Sequence, residues 1–230
     1  PNVKMKDSGI EWIGEIPEHW EMKKLKWLVK EKLEYGANES AELDDITLPR
    51  YIRITDFGED GELRSDTFKS LPVELAEKYL LENGDILLAR SGATVGKTFQ
   101  FKNYSGKACF AGYLIRVKPD SNKITSDFLY LYTKSQIYEN WKNSIFSQAT
   151  IQNISADKYQ YLVIPFPQIK EQKSITSFIS NKSKEINRIL QNQINQIELL
   201  QEYRTSLISD AVTGKIDVRD YAEQVSQQAK

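Results

Sequence analysis

The sequence is poor in the residues that build disulfides, zinc sites and nucleophilic catalytic centres. It contains one cysteine, Cys109, and one histidine, His19. A single cysteine excludes a disulfide within the chain and favours a reducing compartment, the cytoplasm. One histidine and one cysteine cannot supply the roughly four ligands of a zinc site, and no nucleophile motif accompanies His19. We therefore expect a chain with no catalytic centre, no metal and no cofactor of its own.

Long apolar runs and a strong net charge are also missing. No stretch approaches the roughly 20 apolar residues that cross a bilayer, and no secretory signal opens the sequence, so no membrane partner is expected. The chain has 31 basic and 32 acidic residues and a net charge of -1. This balance argues against a protein that coats nucleic acid through charge alone, although it is compatible with a local basic face. Pro1 stands where a methionine would begin a gene product, which indicates a processed chain or part of a longer one.

The C-terminal third has no helix-breaking residue between Pro167 and Gly214. Proline before a helix and glycine after it are typical boundaries. Apolar residues recur inside this stretch at steps of three and four, the period of a helix that packs lengthwise on another helix. At about 1.5 Å per residue the helix is about 65 Å long, too long to bury its apolar stripe on one small domain. The alternative is a helix folded back onto its own domain. The residues expected to pair in a dimer are Ile179, Ile186, Leu190, Ile197, Leu200 and Leu207.

The preceding region reads as a strand-rich domain. Short apolar runs separated by turn sequences predict strands at residues 51–54, 85–89, 95–101 and 108–117. Helices are predicted at residues 72–80 and 127–141, and a last strand at 158–165 leads into the long helix. The expected fold class is α+β, with a mixed, strand-rich domain at residues 1–165. The long C-terminal α-helix at 166–214 pairs as a coiled coil, and a tail occupies 215–230.

The segment from Ser91 to Thr98 approaches the phosphate-binding P-loop pattern without matching it. Ser91 stands where the first glycine is required, and a strand rather than a helix is predicted to follow. Nucleotide hydrolysis is therefore disfavoured.

Polar and basic side chains in loops are typical of nucleic-acid binding. Arginine suits guanine, amides suit adenine, and lysines and hydroxyls suit phosphates. Arg50, Arg53 and Lys107 are included among these loop residues, and five lysines between Lys23 and Lys32 form a basic patch that is either a solvated face or a phosphate contact. The candidate DNA-binding residues are Arg90, Ser91, Thr94, Lys97, Gln148, Thr150, Gln152 and Asn153.

Four segments resemble the specificity subunits of type I restriction–modification systems. SGIEWIGEIPEHWEMKKLKWL (8–28) resembles the start of a target-recognition domain, and GDILLARSGATVGK (84–97) resembles its internal stretch. IPFPQIKEQKSITSFI (164–179) and LISDAVTGKIDVRD (207–220) are similar to the two ends of the family's spacer helix.

The resemblance implies a division of labour. Each recognition domain would read one half of a split site in double-stranded DNA, and paired helices would hold two domains apart. Methyltransferase subunits, with S-adenosylmethionine bound to them and not to this chain, would flip an adenine and methylate N6. A motor nuclease (restriction) subunit can join. Family members usually carry two recognition domains and two helices, whereas this chain has one of each. The chain is therefore expected to be a half-subunit that forms an antiparallel homodimer, or half of a longer chain. The competing hypothesis is a coiled-coil adaptor without DNA readout.

Overall fold

The computed structural model describes residues 3–58, 61–92, 94–146 and 152–219. The chain divides into two compact units, residues 1–176, here called the head unit, and residues 177–230, here called the helical unit. The division falls inside one continuous helix. The proposed domain limits at 165 and 214 stay predictions.

Ten strands and five α-helices lie within the described residues. The strands are β1 Met5–Asp7, β2 Glu15–Pro17, β3 Glu21–Lys24, β4 Glu34–Tyr35, β5 Arg50–Ile52, β6 Ile86–Ala89, β7 Thr98–Gln100, β8 Ala108–Phe110, β9 Leu114–Val117 and β10 Val163–Phe166. The helices are α1 Val73–Ala76, α2 Ser126–Tyr132, α3 Gln136–Phe146, α4 Ala156–Tyr159 and α5 Ile169–Val212. Short 3-10 helices lie at Leu25–Trp27, Ile54–Asp56 and Glu77–Tyr79.

A four-stranded antiparallel sheet, in the order β4-β9-β6-β7, is the centre of the head unit. All four residues of β6 are buried, as its uninterrupted apolar sequence suggests for a strand covered on both faces. Alternate residues of a strand point to opposite faces. Ile86 and Leu88 accordingly join one core cluster, while Leu87 and Ala89 join another. The sheet therefore separates two hydrophobic layers.

The first of these layers is closed by helices. It combines the sheet with Phe128 and Leu129 of α2, Tyr138 and Trp141 of α3, and residues around β10. Thr125 caps α2 by accepting a bond from the amide of Phe128 at 3.2 Å. The cap is the residue immediately before Ser126, the first residue of the helix.

Several elements predicted as continuous are divided. The predicted helix 127–141 is interrupted after Tyr132, where the hydroxyl of Thr133 donates to the carbonyl of Tyr130 and lies 2.8 Å from the hydroxyl of Thr98. The predicted strand 108–117 forms two strands, because a turn at 111–113 sends β9 back to pair with β6. The last predicted strand begins later, at Val163, since Ala156–Tyr159 is a helical turn.

Helix α5 agrees with the sequence pattern. Its 44 residues begin after Pro167 and end shortly before Gly214, whose φ of +74° is the left-handed conformation typical of a helix end. The amides of Lys215 and Ile216 then donate to the carbonyl of Asp210. The fold class of mixed strands and helices with a long C-terminal helix is confirmed, while the coiled-coil pairing stays a prediction. Among the residues described, no helix is both long and apolar enough to span a membrane.

Candidate nucleic-acid interface

The loop between β6 and β7 is a tight hairpin and not a phosphate-binding P-loop. The amide of Gly96 donates to the carbonyl of Ala89 at 2.9 Å, and the amide of Val95 donates to Gly92 at 3.1 Å. Gly92 and Gly96 have φ values of +84° and +82°, which glycine adopts without strain. Because an antiparallel strand follows, the loop does not open a helix as a P-loop does.

Arg90 lies at the start of this loop and stacks on Tyr35. Its guanidinium carbon is 4.5 Å from the centroid of the tyrosine ring. The hydroxyl of Tyr35 accepts a bond from the amide of Ala156 at 2.9 Å, which fixes the ring. Nε of Arg90 is buried and has no hydrogen-bond partner among the described residues. The ring therefore contacts the guanidinium while Nε keeps its donor unused toward the residues that the structure describes.

A second segment lies directly beside the loop. Ser91 forms a β-bridge with Asn153, and the amide of Ile154 donates to the carbonyl of Arg90 at 2.8 Å. Arg90 and Ser91 thereby lie beside Asn153, which is about 60 residues away in sequence. Gln152 precedes Asn153 and is exposed.

The remaining candidates are placed differently. Thr94 is exposed in the same loop as Arg90. Gln148 and Thr150 lie outside the described residues. Lys97 is half-buried, and its ammonium donates to the carbonyl of Phe57 at 3.1 Å, so it ties the loop to a neighbouring segment. DNA binding by each of these residues stays a prediction.

The ammonium groups of Lys97 and Lys134 interact electrostatically. Burial lowers the pKa of Lys134, and repulsion from Lys97 lowers it further. The ammonium of Lys134 donates to the carbonyl of Thr98 at 2.9 Å and lies over the ring of Tyr130. The hydrogen bonds of both lysines thus connect the β6–β7 hairpin to neighbouring segments.

Arg50 and Arg53 also serve the internal structure. Arg50 is buried, and its guanidinium donates to the carbonyl of Arg64. Arg53 pairs with the buried carboxylate of Asp56, with nitrogen and oxygen 3.1 Å apart. These contacts stabilise the segment after β5, which makes the two arginines poor candidates for reading bases.

Two aromatic residues of this surface were not predicted from the sequence. They are Tyr35, at the end of β4, and Tyr113, whose side chain is exposed and whose carbonyl accepts a bond from the amide of Arg90 at 3.0 Å. A cleft of about 330 Å³ beside Tyr113 is also lined by Tyr51, Arg53 and Asn38. No local pattern could have revealed this grouping, because Tyr35 and Tyr113 flank Arg90 only through the folding of β4 and β9.

Comparison with known protein families identifies the family of this chain. The type I restriction modification DNA specificity domain matches residues 17–199. The chain belongs to this family.

Curated relatives agree with that assignment. The type I restriction enzyme MjaVIII specificity subunit of Methanocaldococcus jannaschii is 24% identical over 226 residues, which cover 90% of this chain and 49% of the relative. The EcoKI specificity subunit of Escherichia coli strain K12 is 26% identical over 214 residues, covering 88% of this chain and 44% of the relative. This chain spans about half the length of the curated relatives it matches.

Solved structures share the fold. A chain from a type I R-M system, solved in a study of complex assembly and conformational transition, has a TM-score of 0.67 and 18% identity, and covers 85% of this chain and 46% of its own. The HsdS subunit from Thermoanaerobacter tengcongensis has a TM-score of 0.62 and 17% identity, and covers 92% of this chain and 48% of its own.

Proposed function

We propose that the head unit reads one half of a bipartite DNA sequence as the specificity component of a type I restriction–modification complex. In this proposal the chain performs no catalytic step. The observation that carries it is the stacked Arg90, which lies beside Ser91 and Asn153 at one surface of a chain from a DNA specificity family.

The chemistry of these side chains suits base edges. A guanidinium held flat by Tyr35 can donate two parallel bonds to O6 and N7 of guanine, and an asparagine amide can pair with N6 and N7 of adenine. Because the ring already orders Arg90, less side-chain entropy is lost when DNA binds. Hydroxyls at Ser91 and Thr94 would contact phosphates, which position the protein without reading sequence.

The long helix would determine the distance between two reading units. At about 1.5 Å per residue its 44 residues extend about 66 Å. The six residues expected to pair, from Ile179 to Leu207, are all exposed in this chain. An apolar stripe of this extent is typical of an interaction surface. An antiparallel twofold pairing of two copies would present the same surface twice and read an inverted repeat.

Catalysis is assigned to partners in this proposal. Methyltransferase subunits would carry S-adenosylmethionine and methylate an adenine, and a restriction subunit would add the nuclease. The adaptor hypothesis is not favoured by the family assignment, and it predicts sequence-independent or absent DNA binding.

The proposal is tested by mapping N6-methyladenine in the host genome with and without this gene. We expect a motif that depends on the gene and consists of two inverted halves separated by a spacer of fixed length. Methylation that is unchanged when the gene is deleted would contradict the proposal.

Base reading by individual residues is tested in the complex with methyltransferase. Arg90→Ala or Asn153→Ala should each cost about 1–3 kcal/mol for the cognate site and relax specificity at one position. Lys78→Ala, at an exposed position of the 3-10 helix Glu77–Tyr79, is the control. An equal loss for every DNA sequence would indicate phosphate contact instead.

Cysteine cross-linking tests the antiparallel arrangement. Burial raises the pKa of Cys109 to about 12, so this thiol stays unreactive in the background. Single cysteines at Ile186, Leu190, Gln193, Ile197 and Leu200 should give a cross-linked dimer at one position only, because antiparallel copies meet themselves at a single level. Cross-links at several of these positions would indicate parallel helices.

A further inference from the structure

A second surface of the head unit combines exposed aromatic rings with lysines. We call it the lysine–aromatic patch, formed by Lys24, Lys26, Trp27 and Tyr161. The ammonium groups of Lys24 and Lys26 lie 5.2 and 4.6 Å from the centroid of the Tyr161 ring, and Lys26 is also 5.0 Å from Trp27. Trp27 is 61% exposed and Tyr161 is 50% exposed. Large aromatic side chains this accessible are not part of the core.

The positive charge of the patch is not neutralised within the described part of the chain. Neighbouring Lys23 pairs with Glu21 at 3.1 Å, and Lys123 pairs with Asp120 at 3.0 Å. In contrast, neither Lys24 nor Lys26 forms an ion pair with any described residue. Two unpaired ammonium groups within 5.2 Å of one ring centroid repel each other, and an anion that binds them both would remove that repulsion.

The patch adjoins the candidate reading surface. The amide of Lys26 donates to the carbonyl of Gln160 at 3.1 Å. A cleft of about 330 Å³ is lined by Lys26, Lys30, Lys32 and Ala156, and also by the acidic residues Glu31 and Asp157. The amide of Ala156 in turn donates to the hydroxyl of Tyr35, and the guanidinium of Arg90 lies over the Tyr35 ring. The helical turn α4 therefore links the residue that bonds to Tyr35 with Gln160 and Tyr161 at the patch.

We propose that Lys24 and Lys26 bind phosphates of the DNA backbone that flank the bases read by the Arg90 loop. This inference rests on the proposed function. Lysine is a compact point charge that suits phosphate, and phosphate contacts position a protein on the duplex without carrying sequence information. The rings of Tyr161 and Trp27 hold the two lysines in place. An acidic surface of a protein partner is the competing occupant, but the direct continuity with Arg90 favours DNA.

The test is the salt dependence of DNA binding by the full chain with its methyltransferase subunit. Lys24→Gln/Lys26→Gln should weaken binding to cognate and scrambled duplexes by the same factor, about tenfold near physiological salt. The slope of log K against log salt should fall in magnitude by about 1.8, since each lost phosphate contact contributes about 0.9. The methylated motif should not change.

Lys6→Gln/Lys78→Gln is the matched control, because it removes the same charge from two exposed lysines elsewhere in the head unit. It should change the slope far less. Tyr161→Leu should reproduce part of the loss, and Tyr161→Phe should retain wild-type binding because the ring is kept. Circular dichroism checks that each variant is folded.

The outcomes separate this inference from the proposed function. If the unmodified chain binds DNA without sequence preference, or does not bind DNA, the proposed function fails and this inference fails with it. If the unmodified chain is selective and the lysine variant keeps its salt slope, only the inference fails. Loss of methyltransferase association with an unchanged slope would likewise overturn it and assign the patch to an acidic protein surface.

Discussion

The two compact units differ in where their apolar side chains go. In the head unit two clusters of buried residues lie on the two sides of the β4-β9-β6-β7 sheet, and a third cluster includes Tyr51 and Cys109. In the helical unit no described residue is buried. Even the apolar residues Ile186, Leu190, Ile197 and Leu200 are each at least half exposed. The comparison teaches that the head unit buries its apolar side chains within itself, whereas the apolar stripe of the helix stays exposed and available for the pairing proposed above.

The first turns of α5 belong energetically to the head unit. Gln172 is fully buried, accepts a bond from the amide of Thr125 at 2.8 Å, and donates to the carbonyls of Lys123 and Pro167. One side chain thus satisfies three backbone groups. This polar anchor, together with Ile175, which packs against the core, attaches the start of the helix to the head unit.

The largest expected effect comes from charging the apolar stripe. Leu190→Asp/Ile197→Asp should weaken self-association by at least 100-fold, or roughly 3 kcal/mol, because a twofold contact would bury four carboxylates. The denaturation of the head unit should not change. Sedimentation measures the first quantity and circular dichroism at low protein concentration measures the second.

Gln191→Asp/Asn195→Asp is the control for that variant, since it adds the same charge to the side of the helix away from the stripe. If the control dissociates equally, general repulsion rather than the stripe is responsible. If neither pair of substitutions changes the association state, the apolar stripe is not the surface through which the chain self-associates.

The anchor of α5 should produce the next largest effect. Gln172→Leu leaves three buried backbone groups without a partner, and each unmet group costs about 1–3 kcal/mol. Allowing for partial relaxation, we expect a loss of about 2–4 kcal/mol in urea unfolding of the head unit. Gln191→Leu, at an exposed position of the same helix, should stay within about 0.5 kcal/mol of the unmodified chain. Equal stabilities for both variants would contradict the anchoring role.

A smaller effect is expected at the support of Arg90. Tyr35→Leu removes the ring under the guanidinium and should reduce discrimination between cognate and altered sites by about 0.5–2 kcal/mol. Tyr35→Phe keeps the ring and loses only the bond from Ala156, so discrimination should be largely preserved. Competition binding with duplexes altered at one base pair separates the two variants, and similar behaviour of both would argue against stacking as the cause.

The smallest effect concerns acid stability. The hydrogen bond and charge of Lys118 lower the pKa of Glu82 below its ordinary value of 4.5. A carboxyl with a lowered folded pKa contributes stability above its unfolded pKa, and this contribution is lost as pH falls through the folded value. Glu82→Gln should therefore flatten the decline of head-unit stability below about pH 4.5. Glu198→Gln is the control in the helical unit, where Glu198 forms no ion pair with a described residue. An unchanged pH profile in Glu82→Gln would show that the pair is too exposed to matter.

Local sequence was sufficient where one element determines its own conformation. The stretch between Pro167 and Gly214 forms α5 because it contains no breaker over 44 residues. The unbroken apolar run Ile86–Ala89 forms β6, the strand expected from its sequence at 85–89. The helix 127–141 was predicted as continuous, and this was wrong because Thr133 bonds to Thr98, a residue of a distant strand. Contacts of that kind have no signature within a local window.

The site shows the same division. The residue types at Arg90, Ser91 and Asn153, taken together with the other loop residues, led to the prediction of nucleic-acid binding, which stays a prediction for each of them. Their assembly, and the participation of Tyr35, depended on β4 and the segment after residue 152 reaching the same edge of the head unit. Arg50 and Arg53 are also arginines in predicted loops and looked equally suitable for base contacts. In the structure Arg50 is buried and Arg53 pairs with Asp56, so both stabilise the head unit instead.

The sequence by itself therefore determined the presence of a long helix, its apolar stripe and the strands of a mixed head, because hydrophobic periodicity and the placement of proline and glycine act over a few residues. Tertiary structure alone decided which polar groups lie together at the surface and which form hydrogen bonds or ion pairs within the protein. That choice depends on partners about 40 to 120 residues away in sequence, such as Phe57 for Lys97 and Ala156 for Tyr35.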